Sequence, residues 1–262
     1  MTPAIKETVR TKYDEIARKG ERAGCACGCG PESITMIGDE YTDIAGYVPE
    51  ADLGLGCGVP TELAGISEGD TVLDLGSGAG LDAFVARSIV GERGRVIGVD
   101  MTESMVAKAR ENAANMGYEN VVFELGDIED LPVESDSVDV VISNCVLNLV
   151  PEKERAFVEM YRVLRPGAHF CVSDIVTRGR LPESVRQSAE LYAGCVAGAT
   201  EIDLYLGLIH EAGFADVEVL REKTIDVPAE IIEQEASAAD VDAFRKDGGA
   251  VVSVTVRGRK SA

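Results

Sequence analysis

Seven cysteines carry the clearest chemical potential in this 262-residue sequence, and three of them lie in one short run. The run "GCACGCG" places Cys25, Cys27 and Cys29 at alternate positions of a glycine-rich stretch. Three thiols this close together can hold a metal, form a redox pair or be incidental. An odd number of cysteines, spread along a large domain with no secretory signal, disfavours a disulfide framework and favours reactive or ligand thiols.

The other four cysteines lie far apart in the sequence. Cys57 lies in "GLGCGVP", Cys145 in "SNCVLNL" and Cys195 in "ELYAGCVAGA", and we predict that each segment faces the ligand-binding end of a sheet. Cys171 instead lies in the middle of the predicted strand "HFCVSDI", which is typical of an inert buried thiol. The candidate site thiols are therefore Cys57, Cys145 and Cys195.

Three converging thiolates without an accompanying histidine or carboxylate cluster suit a soft, thiophilic centre. A zinc site is the alternative interpretation. The C-x₂-C pairs typical of zinc are absent, however, and three separated thiols leave its tetrahedral ligand set incomplete. The two histidines, His169 in a predicted strand and His210 on a predicted helix, are interpreted as structural.

Alternating strands and helices must position these thiols. From Thr71 onward, short apolar runs alternate with helical patterns, which predicts right-handed crossovers and a mostly parallel sheet with helices on both faces. This is a doubly wound, Rossmann-like α/β fold, preceded by an amphipathic helix over residues 3–19. The predicted strands are 71–76, 95–100, 121–127, 138–144, 168–175, 217–220 and 251–256, and the predicted helices are 81–90, 103–116, 153–164, 182–192 and 202–212.

Three regions follow from this pattern. Residues 1–65 are predicted to form an N-terminal helix and a cysteine-bearing cap, and residues 66–176 the ligand-binding core. Residues 177–262 are predicted to form a small C-terminal α+β region that carries Cys195 and the remaining strands.

A glycine loop follows the first strand of the core. In "VLDLGSGAG", Gly76, Gly78 and Gly80 form G-x-G-x-G, which differs from the G-x-G-x-x-G of dinucleotide-binding folds. A lone glycine loop is weak evidence for a ligand site. Polar residues also lie near the ends of the first four predicted strands, where an open sheet binds its ligand. Asp74 precedes the glycine loop on the first strand, and the next three strands end at Asp100, Asp127 and Asn144.

Together, the segments "DLGSGAG", "VIGVDM", "GDIEDLP" and "SNCVLNL" resemble those of class I S-adenosylmethionine-dependent methyltransferases. The resemblance implies that Asp100 contacts the ribose of the cofactor, Asp127 and Ile128 its adenine, and Gly76 and Gly78 its methionine moiety. An NAD oxidoreductase or a degenerate nucleotide-binding fold is the alternative. The expected cofactor-binding set is Asp74, Gly76, Ser77, Gly78, Gly80, Asp100, Met101, Asp127, Ile128 and Asn144.

A more specific resemblance covers about residues 13–220. The segments "LGLGCG", "VLDLGSGAG", "VIGVDMT", "ISNCVLNL", "LRPG", "VSDIV" and "LYAGCVAGA" are similar, in this order, to those of bacterial and archaeal arsenite S-adenosylmethionine methyltransferases. The resemblance implies that Cys57, Cys145 and Cys195 bind As(III), whose lone pair attacks the methyl group of the cofactor. It implies arsenite and methylarsenite as substrates. Some members, mainly eukaryotic ones, have a tyrosine two residues before the first arsenic-binding thiol, whereas this sequence has Leu55 there, so the resemblance implies no aromatic contact to the cofactor at this position.

The same family gives the N-terminal cysteines an expected role. Its members carry an N-terminal thiol that forms a disulfide with the equivalent of Cys57 as arsenic is released. Cys29 is the expected relay thiol, with Cys25 and Cys27 as substitutes, and a cellular thiol reductant of the thioredoxin or glutathione type restores the enzyme. A second expected role of this run is to bind As(III) first and to pass it on by thiol exchange.

The net charge of −21 argues against a nucleic-acid partner, because binding polyphosphate requires Lys and Arg. It also suits a protein from a saline cytosol and mildly favours a monomer. The sequence contains no apolar segment long enough to cross a membrane, so we expect a cytoplasmic protein without a membrane partner.

Two other functions stay open: methylation of a carbon or oxygen atom on a small metabolite, and binding of As(III) or a heavy metal without turnover.

Overall fold

The computed structural model describes residues 2–19, 40–182, 198–225 and 243–262. The run from Cys25 to Cys29, Cys195 and nearly all of the predicted helix 182–192 lie outside the described residues. What the sequence predicts for them stays a prediction.

A single twisted sheet organises the described residues. The strands are β1 (Thr71–Leu75), β2 (Arg95–Asp100), β3 (Val121–Leu125), β4 (Val138–Asn144), β5 (Leu164–Arg178), β6 (Thr200–Glu201), β7 (Ala215–Ile225) and β8 (Ala250–Arg259). Seven of them lie side by side in the order β3-β2-β1-β4-β5-β8-β7, and the short strand β6 pairs with β5. The first five strands and β6 pair in parallel, whereas β8 lies antiparallel between β5 and β7.

Helices cover both faces of this sheet. Successive side chains of a strand point to opposite faces, so Leu73 joins one apolar cluster and Val72 the other. Phe157 and Tyr205 fill the first cluster, and Phe84 fills the second. The helices whose bounds lie within the described residues are α1 (Thr2–Lys19), α2 (Pro60–Leu63), α3 (Leu81–Val90), α4 (Glu103–Met116), α5 (Lys153–Val163) and α6 (Ile202–Glu211), with 3₁₀ turns at Pro49–Ala51 and Leu147–Leu149.

The predicted core elements agree closely with the structure, but two strands are longer than predicted. β7 runs from Ala215 to Ile225 instead of 217–220, and β5 runs from Leu164 to Arg178 instead of 168–175. The extension of β5 to Arg178 has a tertiary cause, because β8 pairs with β5 continuously from His169 to Arg178. At the other end, Leu164 pairs with Val138 of β4. β7 and β8, both from the predicted C-terminal region, thus complete the same sheet as the core.

None of the helices in the described ranges combines the length and the apolar character that a membrane span needs.

The carboxyl ends of β1, β2 and β4 meet at one edge of the sheet, where open α/β sheets bind their ligands.

Candidate active site

The loop after β1 turns sharply because its glycines adopt backbone angles that other residues avoid. Gly76 and Gly78 have φ values of 65° and 51°. The N–H groups of Gly76 and Ser77 donate to the Val99 carbonyl on β2, at 2.7 and 3.1 Å, which fixes the loop against the sheet. Gly80 begins the turn into α3, and a Cβ there would lie 2.8 Å from the rings of Phe84 and Phe123.

A cavity opens beside this loop, at the carboxyl ends of β1, β2 and β4. It brings together most of the predicted cofactor-binding residues, whereas Gly80 packs behind the loop and does not line the cavity. The predicted residues that line it are Asp74, Gly76, Ser77, Gly78, Asp100, Met101, Asp127, Ile128, Asn144 and Cys145.

Three buried carboxyl groups face the cavity: Asp74, Asp82 and Asp100. Burial raises the pKa of Asp74 well above its ordinary value, and the nearby charges of Asp82 and Asp100 add to this effect. Burial also raises the pKa of Asp82 to about 6, against the lowering effect of hydrogen bonds from Asn144 and Tyr41. A cationic ligand would relieve the repulsion among these groups, so the cavity is suited to bind positive charge.

Two of the polar atoms in this cavity have no hydrogen-bond partner among the described residues. They are Asp74 Oδ2 and Ser77 Oγ, and both are buried. Buried polar atoms are almost always paired in proteins, so an orphaned pair in a cavity indicates a ligand that completes them. Asp100, by contrast, accepts hydrogen bonds from the N–H groups of Gly78 and Thr102, at 3.0 and 2.8 Å.

Helix α1 closes one side of the cavity. Lys6, Val9 and Tyr13 line it, and the Lys6 ammonium pairs with the carboxylates of Asp127 and Glu129. Burial lowers the pKa of Lys6, but the hydrogen bonds to these two carboxylates outweigh burial and leave it raised. Asp127, predicted at the adenine, therefore also anchors α1 across the cavity.

Two of the predicted site thiols lie in one apolar cluster beside the cavity. Cys57 is 1% exposed and Cys145 is 4% exposed, and both pack with Val9 and Ile175. Cys145 lines the cavity itself, whereas Cys57 lies behind the lining residues. Across the described part of the chain, no three His, Cys, Asp or Glu side chains form a metal-binding group, and the third predicted thiol, Cys195, lies outside that part.

Cys145 has a left-handed backbone with φ of 60°, which is uncommon for a residue other than glycine. Such strain persists only where the surroundings hold it. The Cys145 N–H donates to the Ser173 carbonyl at 2.8 Å, and the Asn148 amide lies 3.9 Å from the Cys145 sulfur. Lys153 ties down the turn that follows, since its ammonium donates to the carbonyls of Asn148 and Val150 at 3.2 and 3.0 Å.

Cys171 lies apart from these thiols, in the second apolar cluster. Burial raises the pKa of its thiol to about 12, so it stays protonated at neutral pH. These observations agree with its interpretation as an inert buried thiol.

Several residues of the site escaped sequence analysis. Lys6 and Tyr13 lie in the predicted amphipathic helix, and Tyr41 lies in the predicted cap, where no motif marks it. Asp82 gave a usable signal, because an acidic residue directly after a glycine loop lies at the start of a helix and faces the bound ligand. The other three could be found only once the chain was folded.

Comparison with known proteins places this chain in a family. Residues 66–213 match the family model described as "Methyltransferase domain". An arsenite methyltransferase from Halobacterium salinarum is 43% identical over 98% of this chain and 67% of the relative. This chain belongs to the arsenite methyltransferase family. A human arsenite methyltransferase is 31% identical, over 88% of this chain and 63% of the human protein.

A solved structure of the family shares the fold. The crystal structure of an arsenic(III) S-adenosylmethionine methyltransferase from Chlamydomonas reinhardtii superposes with a TM-score of 0.69, at 36% identity, over 89% of this chain and 75% of that one. The predicted class I methyltransferase fold is therefore confirmed. This chain spans about two thirds of the length of the Halobacterium and human relatives.

The cavity fits S-adenosylmethionine, the cofactor of this family. A sulfonium and an ammonium group carry its positive charges, and three buried carboxyl groups face the cavity. The orphaned oxygens of Asp74 and Ser77 supply hydrogen-bonding positions of the kind that a polar cofactor fills.

Proposed function

We propose that this protein transfers the methyl group of S-adenosylmethionine to trivalent arsenic held by the thiolates of Cys57, Cys145 and Cys195. One observation carries the proposal. Cys57 and Cys145, which are distant in sequence, are buried in the same cluster at the edge of a carboxylate-lined cavity. Arsenite and methylarsenite are the proposed substrates.

The thiol pair suits arsenic because thiolates are soft ligands. S-adenosylmethionine would supply a methyl group on a positively charged sulfur. The lone pair of the thiolate-bound arsenic would attack that methyl carbon, and the electrons of the broken carbon–sulfur bond would pass to the sulfur. The residues of this chain then need only hold the two reactants in line, because the leaving group is already activated. Asp74, Ser77 and Asp100 would hold the cofactor, and the cysteines the arsenic.

The N-terminal thiols have a separate proposed role in turnover. Methyl transfer through the arsenic lone pair leaves the arsenic formally As(V). Cys29, with Cys25 and Cys27 as substitutes, would form a disulfide with Cys57, and the two electrons released would return the arsenic to As(III) as the product leaves. A thiol reductant of the thioredoxin or glutathione type would then restore both thiols by exchange. The position of "GCACGCG" between α1 and the loop of Cys57 in the sequence supports this proposal.

Titration of the purified protein with As(III), with and without S-adenosylmethionine, tests the proposed function. We expect As(III) binding in both cases and methylated arsenic only with the cofactor. Cys57→Ser, Cys145→Ser and Cys195→Ser should each abolish methylation, because a hydroxyl is a hard and mostly protonated donor.

Cys171→Ser is the matched control, because it removes a buried thiol outside the cluster and should leave methylation intact. As(III) binding without any methylated product would identify a binding protein. Cofactor binding without As(III) binding would instead favour methylation of another small metabolite.

A further inference from the structure

The side-chain amide of Asn144 is hydrogen-bonded to its surroundings through both its oxygen and its nitrogen. Its Oδ1 accepts from the Cys57 N–H at 2.9 Å, and its Nδ2 lies 2.8 Å from the Gly58 carbonyl oxygen. The same Nδ2 lies 2.8 Å from the Tyr41 hydroxyl and 3.0 Å from Asp82 Oδ2. One amide therefore holds the backbone on both sides of the Cys57 side chain.

Tyr41 and Asp82 fix the orientation of that amide. The Tyr41 hydroxyl lies 2.8 Å from Asp82 Oδ1 and 2.9 Å from the Gly58 carbonyl oxygen. Acceptors thus surround the amide nitrogen, and a backbone donor faces the amide oxygen. A flipped amide would set its NH₂ group against the Cys57 N–H, so the geometry permits one orientation only.

The glycines beside Cys57 make room for this contact. A Cβ at Gly56 would lie 2.6 Å from Asn144 Nδ2, and a Cβ at Gly58 would lie 2.7 Å from Ser173 Oγ. Ser253 completes the clamp, because its hydroxyl donates to the Cys57 carbonyl at 2.7 Å. The backbone of Cys57 is held at its N–H and at its carbonyl.

We propose that Asn144 is a positioning residue that holds Cys57 at a fixed distance from Cys145 before arsenic binds. Cys145 follows Asn144 directly, so the end of β4 places one thiol through its own backbone and the other through the Asn144 amide. A site whose ligands are already in place pays less to order them on binding. The identity of the bound element rests on the proposed function, but the clamp itself does not.

Asn144→Ala tests this role, with Ser143→Ala as its matched control. Ser143 is the neighbouring buried residue of β4, and its hydroxyl donates to the Leu75 carbonyl at 3.1 Å, away from the Cys57 loop. Calorimetric titration gives the As(III) and S-adenosylmethionine affinities, and hydrogen exchange with mass spectrometry follows the amides of residues 55–58. We expect Asn144→Ala to weaken As(III) binding tenfold or more, to weaken cofactor binding less, and to speed exchange in this segment. Ser143→Ala should leave all three unchanged.

The proposal is overturned if Asn144→Ala weakens cofactor binding as much as As(III) binding while exchange at residues 55–58 is unchanged. Should Asn144→Ala not fold, Tyr41→Phe replaces it, since this change removes only the hydroxyl that orients the amide. We expect smaller shifts in the same directions, and unchanged exchange in Tyr41→Phe would also overturn the proposal. If the wild-type protein binds no As(III), the proposed function fails, whereas the exchange measurement still decides the role of Asn144.

Discussion

The cofactor cavity and the thiol cluster share the end of β4, but they are built in different ways. Short motifs at successive strand ends form the cavity, and Asp74 and Asp100 could each be predicted from one local segment of the sequence. The thiol cluster instead joins a loop before the sheet to the end of β4, and β8 clamps that loop through Ser253.

The charges of the two regions differ as well. The cavity faces three buried carboxyl groups, whereas apolar side chains such as Val9 and Ile175 surround the thiols. Hard oxygens suit a cation, and soft sulfur atoms suit arsenic. The two regions should therefore respond separately to substitution, and that separation can be tested.

The largest expected effect separates the thiols of the cluster from those of the N-terminal run. Cys145→Ser should abolish As(III) methylation, because it removes a soft ligand. Joint replacement of Cys25, Cys27 and Cys29 by Ser should preserve As(III) binding and a first turnover, yet slow repeated turnover on arsenite. Single- and multiple-turnover assays make this distinction, and methylarsenite, which needs fewer protein thiols, should be methylated with less impairment. Equal loss of As(III) binding in both variants would place the run in the primary site.

Asp100→Ala should weaken S-adenosylmethionine binding about ten- to hundredfold, because a lost charge-assisted hydrogen bond costs about 1.5–3 kcal/mol. As(III) binding should change little. Asp70→Ala, at the opposite end of β1, is the control. Calorimetry of both ligands measures the effect, and unchanged cofactor affinity would remove Asp100 from the site.

Cofactor affinity should fall about tenfold as the pH drops from 7 to 5. Asp82 has a pKa raised to about 6, so its carboxylate becomes neutral over this range and attracts a cation less. The free energy of unfolding of the ligand-free protein should change in the opposite direction. A raised carboxyl pKa lowers this free energy above pH 6, and the loss is relieved as the pH falls. Asp82→Asn should flatten the affinity profile, and a flat wild-type profile would contradict this role.

Lys6→Met should speed cofactor dissociation about two- to fivefold, because it removes the ion pairs that hold α1 over the cavity, and such partly exposed pairs contribute modestly. Arg10→Met on the exposed side of the same helix should have no effect. Stopped-flow displacement of the cofactor measures the rates. Identical rates in the two variants would mean that Lys6 does not retain α1.

The smallest expected effect concerns salt. Activity should persist or rise at molar potassium chloride, because salt screens the repulsion within a chain of net charge −21. Assays over increasing salt concentrations, with thermal unfolding measured alongside, check this expectation. Sharp inactivation by potassium chloride would contradict the interpretation that the acidic composition is an adaptation to a saline cytosol.

The sequence by itself determined the central sheet and the cofactor end of the site. Strand and helix patterns from β1 to α5 are local, and the backbone angles of Gly76 and Gly78 are dictated within their own turn. Strand ends of a parallel sheet necessarily meet at one edge, which is why Asp74 and Asp100 could be assigned to one cavity without coordinates.

Only the tertiary structure decided which distant groups meet. The extension of β5 to Arg178 depended on pairing with β8, and the pairing of Lys6 with Asp127 depended on where α1 packs. The clamp on Cys57 joins residues from four separate segments through hydrogen bonds that have no signature in local composition. Such contacts arise from close packing of the folded chain, so a pattern read along the sequence can name the thiols but cannot show what holds them in place.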